Sequence, residues 1–243
     1  MIIAQATDIH AGINNDNLAR FEKVVAWLSE LMPDYLVISG DLVDDGWLEG
    51  YTRIGEMLRG LRFRALVIPG NADHKNAMRF ALPDFLAGDT AGPLHFWEYG
   101  ENVLLLGLDV TIDGAAYGDV TAHLPWLRQK LEEFPTATTL LFTHHHIFAS
   151  GISPIDSSMC RGVDQLAELL APHGHRITVA SGHVHRAISS VLGTSSSHVC
   201  GSICPANPLL LRDRQIPRVT DPPGLMVHNI VDRRVVSHHV SVS

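Results

Sequence analysis

No apolar run in this 243-residue chain approaches the ~20 residues that a membrane-spanning helix requires. Nor does a basic leader or cleavage site precede Ile2-Ile3-Ala4, which enters an apolar strand at once, so no export signal is expected. Cysteine is scarce. Cys160, Cys200 and Cys204 cannot all pair within one chain, and none stands in a C-x-x-C spacing. That excludes a disulfide framework or zinc ribbon and points to a reducing cytoplasm. Basic residues are few as well: 18 Lys and Arg against 26 Asp and Glu leave a formal charge of −8. A strongly basic surface of the kind that grips a phosphate backbone is therefore excluded, and no nucleic-acid polymer is expected as partner. No Ser/Gly-rich or charge-rich linker, repeat or low-complexity tract divides the chain, which reads as one domain over residues 1–243.

What is present is apolar material in alternating patterns. Hydrophobic residues make up 46% and charged residues 18%, ample for a buried core. A short apolar run over residues 2–6 is followed by residues 14–32, where Leu18, Phe21, Val24, Val25 and Leu28 stand at helical spacing. A strand over 35–38, a helix over 47–60 and a strand over 65–68 repeat the theme. Three β-α units in succession predict parallel pairing with right-handed crossovers. Beyond His74 the pieces shorten: helices near 75–80, 124–134 and 163–170, strands near 95–99, 103–108, 138–143 and 176–180, and four further strands in the tail. Residues 207–224, with four prolines and Arg212, Arg214 and Arg218, read as a long loop suited to a lid or a contact between copies of a homo-oligomer.

Chemistry-bearing residues recur where the apolar strands run out. These are Asp8-Ile9-His10, Gly40-Asp41, Gly70-Asn71-Ala72-Asp73, His144-His145-His146 and Gly182-His183-Val184-His185. Each alone has a bland reading, since Asp caps turns and histidines occur in loops. Together, five strand ends of one parallel-type sheet would converge on its carboxyl edge, with the Asp8 and His10 side chains facing one way from extended backbone. Hard oxygen and borderline nitrogen donors, plus a carboxylate able to bridge, are what two divalent transition metals need.

The order Asp8-x-His10, Gly40-Asp41, Gly70-Asn71, His-His, Gly182-His183-x-His185 resembles the calcineurin-like metallophosphoesterase superfamily, in particular its bacterial class III cyclic-nucleotide phosphodiesterases and glycerophosphodiesterases. The resemblance implies an α/β fold, a four-layer α-β-β-α sandwich, holding two ions of Mn, Fe, Zn or Co. Carried over, Asp8, His10 and His185 would hold one ion, Asn71, His145 and His183 the other, with Asp41 bridging. His145 is chosen as the first His of the family's His-His-Pro, and His144 is the alternative; His146 would then face substrate or stand behind the ligands. The sequence departs from the pattern at Ala72, where the family usually carries a His that helps protonate the leaving oxygen. His74 or His146 would have to serve instead.

The expected activity is hydrolysis of a small phosphodiester, such as a cyclic nucleotide or glycerophosphodiester, by a hydroxide held between two ions, with Asp41, His74 and His146 as catalytic candidates. Trp97, Tyr117, Phe148 and Arg161 are candidates for substrate contacts. The rival from another class is a catalytically weak protein-binding scaffold, which Ala72 favours and the otherwise complete ligand set disfavours.

Overall fold

The computed structural model describes residues 1–87, 92–212 and 221–243. Two sheets lie face to face between layers of helix. The first has the order β11-β10-β1-β2-β3, where β1 is Ile2–Ala6, β2 Tyr35–Ser39, β3 Arg64–Ile68, β10 Gly224–Val231 and β11 Arg234–Ser241. The second has the order β4-β5-β6-β7-β9-β8, with β4 Phe96–Gly100, β5 Val103–Leu108, β6 Thr138–Thr143, β7 Ile177–Ser181, β8 Ile188–Leu192 and β9 Ser195–Val199. The β1, β2 and β3 strands pair in parallel, as the β-α alternation predicts, and so do β5, β6, β7 and β9.

The layers follow from which apolar faces must be covered. On the outer face of the first sheet, Ala4, Ala6, Leu36, Ile38 and Val67 meet Phe21, Val24 and Leu28 of α1 (Asn17–Leu31) and Tyr51, Ile54 and Leu58 of α2 (Leu48–Arg59). The short α3 (Lys75–Ala81) adds Met78 to that layer. On the far side, Leu104, Leu106 and Leu141 meet Leu127 and Leu131 of α4 (Leu124–Glu133) and Leu166 and Leu170 of α6 (Val163–Leu170), beyond the single turn α5 (Ser153–Asp156). Between the sheets Ile3, Val37, Leu66 and Ile68 pack on Phe96, Leu105, Leu140 and Phe142. This is the α-β-β-α sandwich.

One expectation is corrected. The five strand ends do not belong to a single sheet: β1, β2 and β3 lie in the first, β6 and β7 in the second. After α3 the chain goes on to the antiparallel β4–β5 pair, which founds a new sheet instead of extending the old one. The site is therefore built where two sheets abut along their carboxyl edges. Of the tail loop, residues 207–212 and 221–223 are described, and Arg214 and Arg218 lie outside the described residues.

Candidate metal centre

Three of the five strand ends, those of β1, β2 and β7, hand their last side chains to the seam through abnormal backbone. Asp8, His10, Asp41, His183 and His185 all have φ between 49° and 71°, the left-handed region that non-glycine residues seldom adopt. The extended Asp8-x-His10 of the sequence reading is thus not what forms. The chain curls after β1, and Asp8 and His10 N–H groups donate to the Gly40 and Asp41 carbonyls at 3.0 and 2.9 Å. Such strain collects where the surrounding structure needs side chains aimed at one point. Glycine makes the close approach possible: a Cβ on Gly70 would stand 2.1 Å from Asp41 Oδ1, and one on Gly40, whose φ is +96°, would stand 2.6 Å from His144 Nδ1.

The convergence falls into two groups sharing Asp41. In the first, Asp8, His10, Asp41 and His185 present ligand atoms within 4.8 Å of one another; in the second, Asp41, His144 and His183 do. Asp41 Oδ2 is 3.2 Å from His10 Nε2 and 3.2 Å from His144 Nε2, at the point where the groups meet. Its other oxygen is tied down by the Ala72 N–H at 2.8 Å.

Hydrogen bonds orient the imidazoles. His10 Nδ1 faces the Asp44 carboxylate at 2.7 Å and so carries a proton there, which turns Nε2 into the seam. His144 Nδ1 donates to the Ser39 carbonyl at 2.8 Å, which again turns Nε2 inward. Ser158 donates its hydroxyl to the Ile155 carbonyl at 2.8 Å, so its oxygen must accept from His183 Nε2–H at 2.7 Å, which leaves Nδ1 bare. The Cys204 sulfur faces His185 Nδ1 at 3.3 Å, which turns Nε2 toward Asp8 Oδ1 at 3.3 Å. The inner nitrogens confront each other, His10 Nε2 with His185 Nε2 at 3.1 Å and His183 Nδ1 with His144 Nε2 at 3.3 Å. Such close pairs need a cation between them, a proton or a metal ion, and Asn71 Oδ1 is buried with no hydrogen-bond partner. The donor set fits metal ions of the Mn, Fe, Zn and Co kind.

Without a metal ion, protons take that place: against their burial, the Asp41 and Asp8 carboxylates raise His144 to about 9 and raise His185 as well. Burial works against the charge on Asp8, yet the His185 and His144 imidazoles outweigh it and pull the carboxyl down to about 2. Asp41 is likewise held well below the usual carboxylate range against its burial, by His144 and His10. Burial opposes protonation of His10, but the Asp41 and Asp8 carboxylates raise it to about 10. His183 is lowered to about 3 by burial and by His144. Asp73 is raised to about 6 by burial and the Asp41 charge, while accepting hydrogen bonds from Gly70 N–H, Leu42 N–H and the Tyr51 hydroxyl.

The candidates do not all arrive together. The structure places His144, the alternative, against Asp41 in the position expected of His145. His145 turns away: its Nε2 donates to the Ala116 carbonyl at 3.2 Å and its Nδ1 lies so near Gly118 that a Cβ there would stand 2.6 Å away. Consecutive residues leaving a strand point to opposite sides, so only one of the pair can face the seam. His146 is fully buried behind His183, its ring stacked at 5.6 Å and its Nε2 on Asp156 at 3.3 Å, away from any surface a substrate could reach. His74 caps α3 and lines the cleft that opens beside Asn71. Trp97, Tyr117, Phe148 and Arg161 do not line that cleft; Trp97 packs on Phe134 and Arg161 covers the Tyr117 ring. Sequence reasoning missed Asp44, Ser158 and Cys204, the groups that hold the histidines in their tautomers.

Known proteins resemble this chain. Residues 1–187 match the family described as Calcineurin-like phosphoesterase. The chain is 27% identical over 257 residues to a probable glycerophosphodiester phosphodiesterase GpdQ of Arcobacter nitrofigilis, covering 99% of this chain and 93% of that one. It is 31% identical over 191 residues to the 3',5'-cyclic adenosine monophosphate phosphodiesterase CpdA of Escherichia coli strain K12, covering 76% of this chain and 66% of that one. A dimetal phosphatase from Danio rerio shares the fold with a TM-score of 0.69 at 10% identity, over 100% of this chain and 99% of the other. Among the described residues no helix is long and apolar enough to cross a membrane.

Proposed function

Because the chain belongs to the calcineurin-like phosphoesterase family, we propose that it hydrolyses a small phosphodiester, of the glycerophosphodiester or cyclic-nucleotide kind, at a centre of two metal ions. The observation that carries this reading is the position of Asp41 Oδ2, 3.2 Å from an imidazole nitrogen in each of two ligand groups. Asp8, His10 and His185 would hold one ion, and Asn71, His144 and His183 the other, with Asp41 shared. Ions so held would polarise the phosphoryl oxygens, offset the charge that develops in in-line displacement and activate water as the attacking group.

The chain's own residues supply the rest. The backbone amides of Ala72, Gly70 and Leu42 fix the Asp41 and Asp73 carboxylates, so the shared oxygen need not reorganise during reaction. Asp44, Ser39, Ser158 and Cys204 hold the four imidazoles by their outer nitrogens. Of the two imidazoles expected as proton donors to the leaving oxygen, His146 is fully buried, which supports His74, on the cleft wall, in that role. Protein loaded with Mn²⁺ is expected to cleave bis(p-nitrophenyl) phosphate, and to lose that activity with chelator and in Asp41→Ala. Activity indifferent to both would refute the proposal. Ala72 favours a second reading, a scaffold with little catalysis; one bound ion per chain or none, with no hydrolysis of any diester, would support it.

A further inference from the structure

Beyond Asn71 the seam opens into a cleft of about 900 Å³, whose walls include His74, Lys75, Arg79, Asp113 and His123. Ala72 lines it too and contributes only a methyl group. The far wall contains a hydrogen-bond chain whose direction is forced. The backbone N–H of Asp109 donates to His95 Nδ1 at 2.9 Å, and an amide can only donate. The neutral His95 therefore carries its proton on Nε2, 3.2 Å from His123 Nδ1. His123 Nδ1 must accept, so its proton sits on Nε2, for which the described residues offer no partner. Burial lowers His95 to about 4 and lowers His123 as well, so both rings are neutral near pH 7. Trp126, with its ring 4.7 Å from that of His95, fixes the relay in place.

The neighbouring cations are partly engaged. Lys75 pairs with the buried Asp109 carboxylate at 2.9 Å, and Arg79 donates to the Gly92 carbonyl and to Asn76 while its Nε is buried without a partner. Among the groups the cleft offers a ligand are a neutral donor at His123 and a carboxylate at Asp113. Among the described residues no Phe, Tyr or Trp lines it. A nucleobase is commonly held by stacking on an aromatic face. A hydroxylated alcohol needs only donors and acceptors.

Resting on the phosphodiesterase reading above, we propose that this cleft binds the alcohol half of the diester as a polyol without an aromatic ring, and that His123, oriented by His95 and the Asp109 backbone, is the residue that selects it. The test compares the Mn²⁺-loaded parent, His123→Ala and His95→Phe on glycerophosphocholine, cyclic AMP and bis(p-nitrophenyl) phosphate. The parent is expected to have a higher kcat/KM for the glycerol diester than for cyclic AMP. His123→Ala should raise KM for the glycerol diester by about 3- to 10-fold, the worth of one neutral hydrogen bond, with kcat retained and the aryl diester unaffected. His95→Phe should shift KM in the same direction by less.

A parent that prefers cyclic AMP, or a His123→Ala that moves KM for both diesters alike or for neither, overturns the proposal. If the loaded parent cleaves none of the three diesters, the phosphodiesterase reading falls, and calorimetric binding of glycerol 3-phosphate decides the cleft separately. Binding weakened in His123→Ala supports it; equal or absent binding overturns it.

Discussion

Ser158→Ala removes one oxygen atom and tests the logic by which the centre is assembled. Ser158 Oγ accepts from His183 Nε2–H at 2.7 Å because its own proton is taken by the Ile155 carbonyl. Without that acceptor the variant has two choices. Either His183 keeps its proton on Nε2 with no partner in a largely enclosed site, or the proton moves to Nδ1, into the space an ion would occupy. Both costs fall on the metal-loaded state, and leaving such a group unpaired costs about 1–3 kcal/mol. With ~1.4 kcal/mol per decade, affinity for the ion held by His144 and His183 should fall by roughly 5- to 100-fold. The ion held by Asp8, His10 and His185 should be little affected. Competition with a chromophoric chelator, followed by metal analysis after dialysis, reads the two sites separately. Ser158→Thr, which keeps the hydroxyl, should restore the parent's affinity. If Ser158→Ala binds both ions as tightly as the parent, or loses both equally, the assignment of a bare Nδ1 on His183 is wrong.

Three further outcomes are expected. His144→Ala should lose one ion of two, whereas His145→Ala, whose ring points to Ala116, should retain both by metal analysis; the reverse pattern would return the ligand role to His145. His228 is lowered from 6.5 to about 3 by burial and by His198, so the folded state rejects a proton that the unfolded chain takes up below pH 6.5. This group therefore costs nothing above pH 6.5 and about 1.4 kcal/mol of stability per pH unit as pH falls from there towards the folded pKa. Urea denaturation of metal-free protein between pH 6 and pH 4 should show a slope steeper in the parent than in His228→Gln by about one proton, and equal slopes would count against it. Tyr51→Phe should destabilise by about 1–3 kcal/mol, because the hydroxyl both donates to Asp73 at 2.9 Å and accepts the His74 N–H at 2.9 Å in a fully buried setting. Denaturation midpoints equal to the parent's would contradict that.

Much of the fold and most of the candidate ligands were legible because the information is local. Leu18, Phe21, Val24 and Leu28 stand at helical spacing, and the chain there is helical from Asn17 to Leu31. A Gly-Asp or Gly-His at the end of an apolar run marks a strand exit whatever the rest of the chain does. What failed to show depends on tertiary context. Nothing between His74 and Phe96 signals that the next strands found a second sheet, because a strand's sequence does not encode which edge it joins. The choice between His144 and His145 turns on a register of one residue and on where the Ala116 carbonyl lies, in a loop nearly thirty positions away. Ser158, Asp44 and Cys204 sit in loops with no periodicity, and each matters only through the imidazole it meets.

The central claim is that two ions share Asp41, and anomalous scattering from crystals soaked in Mn²⁺ tests it most directly. Two peaks are predicted on either side of Asp41, one among Asp8, His10 and His185 and the other among Asn71, His144 and His183. A single peak, or a peak coordinated by His145 with His144 left out, would contradict it.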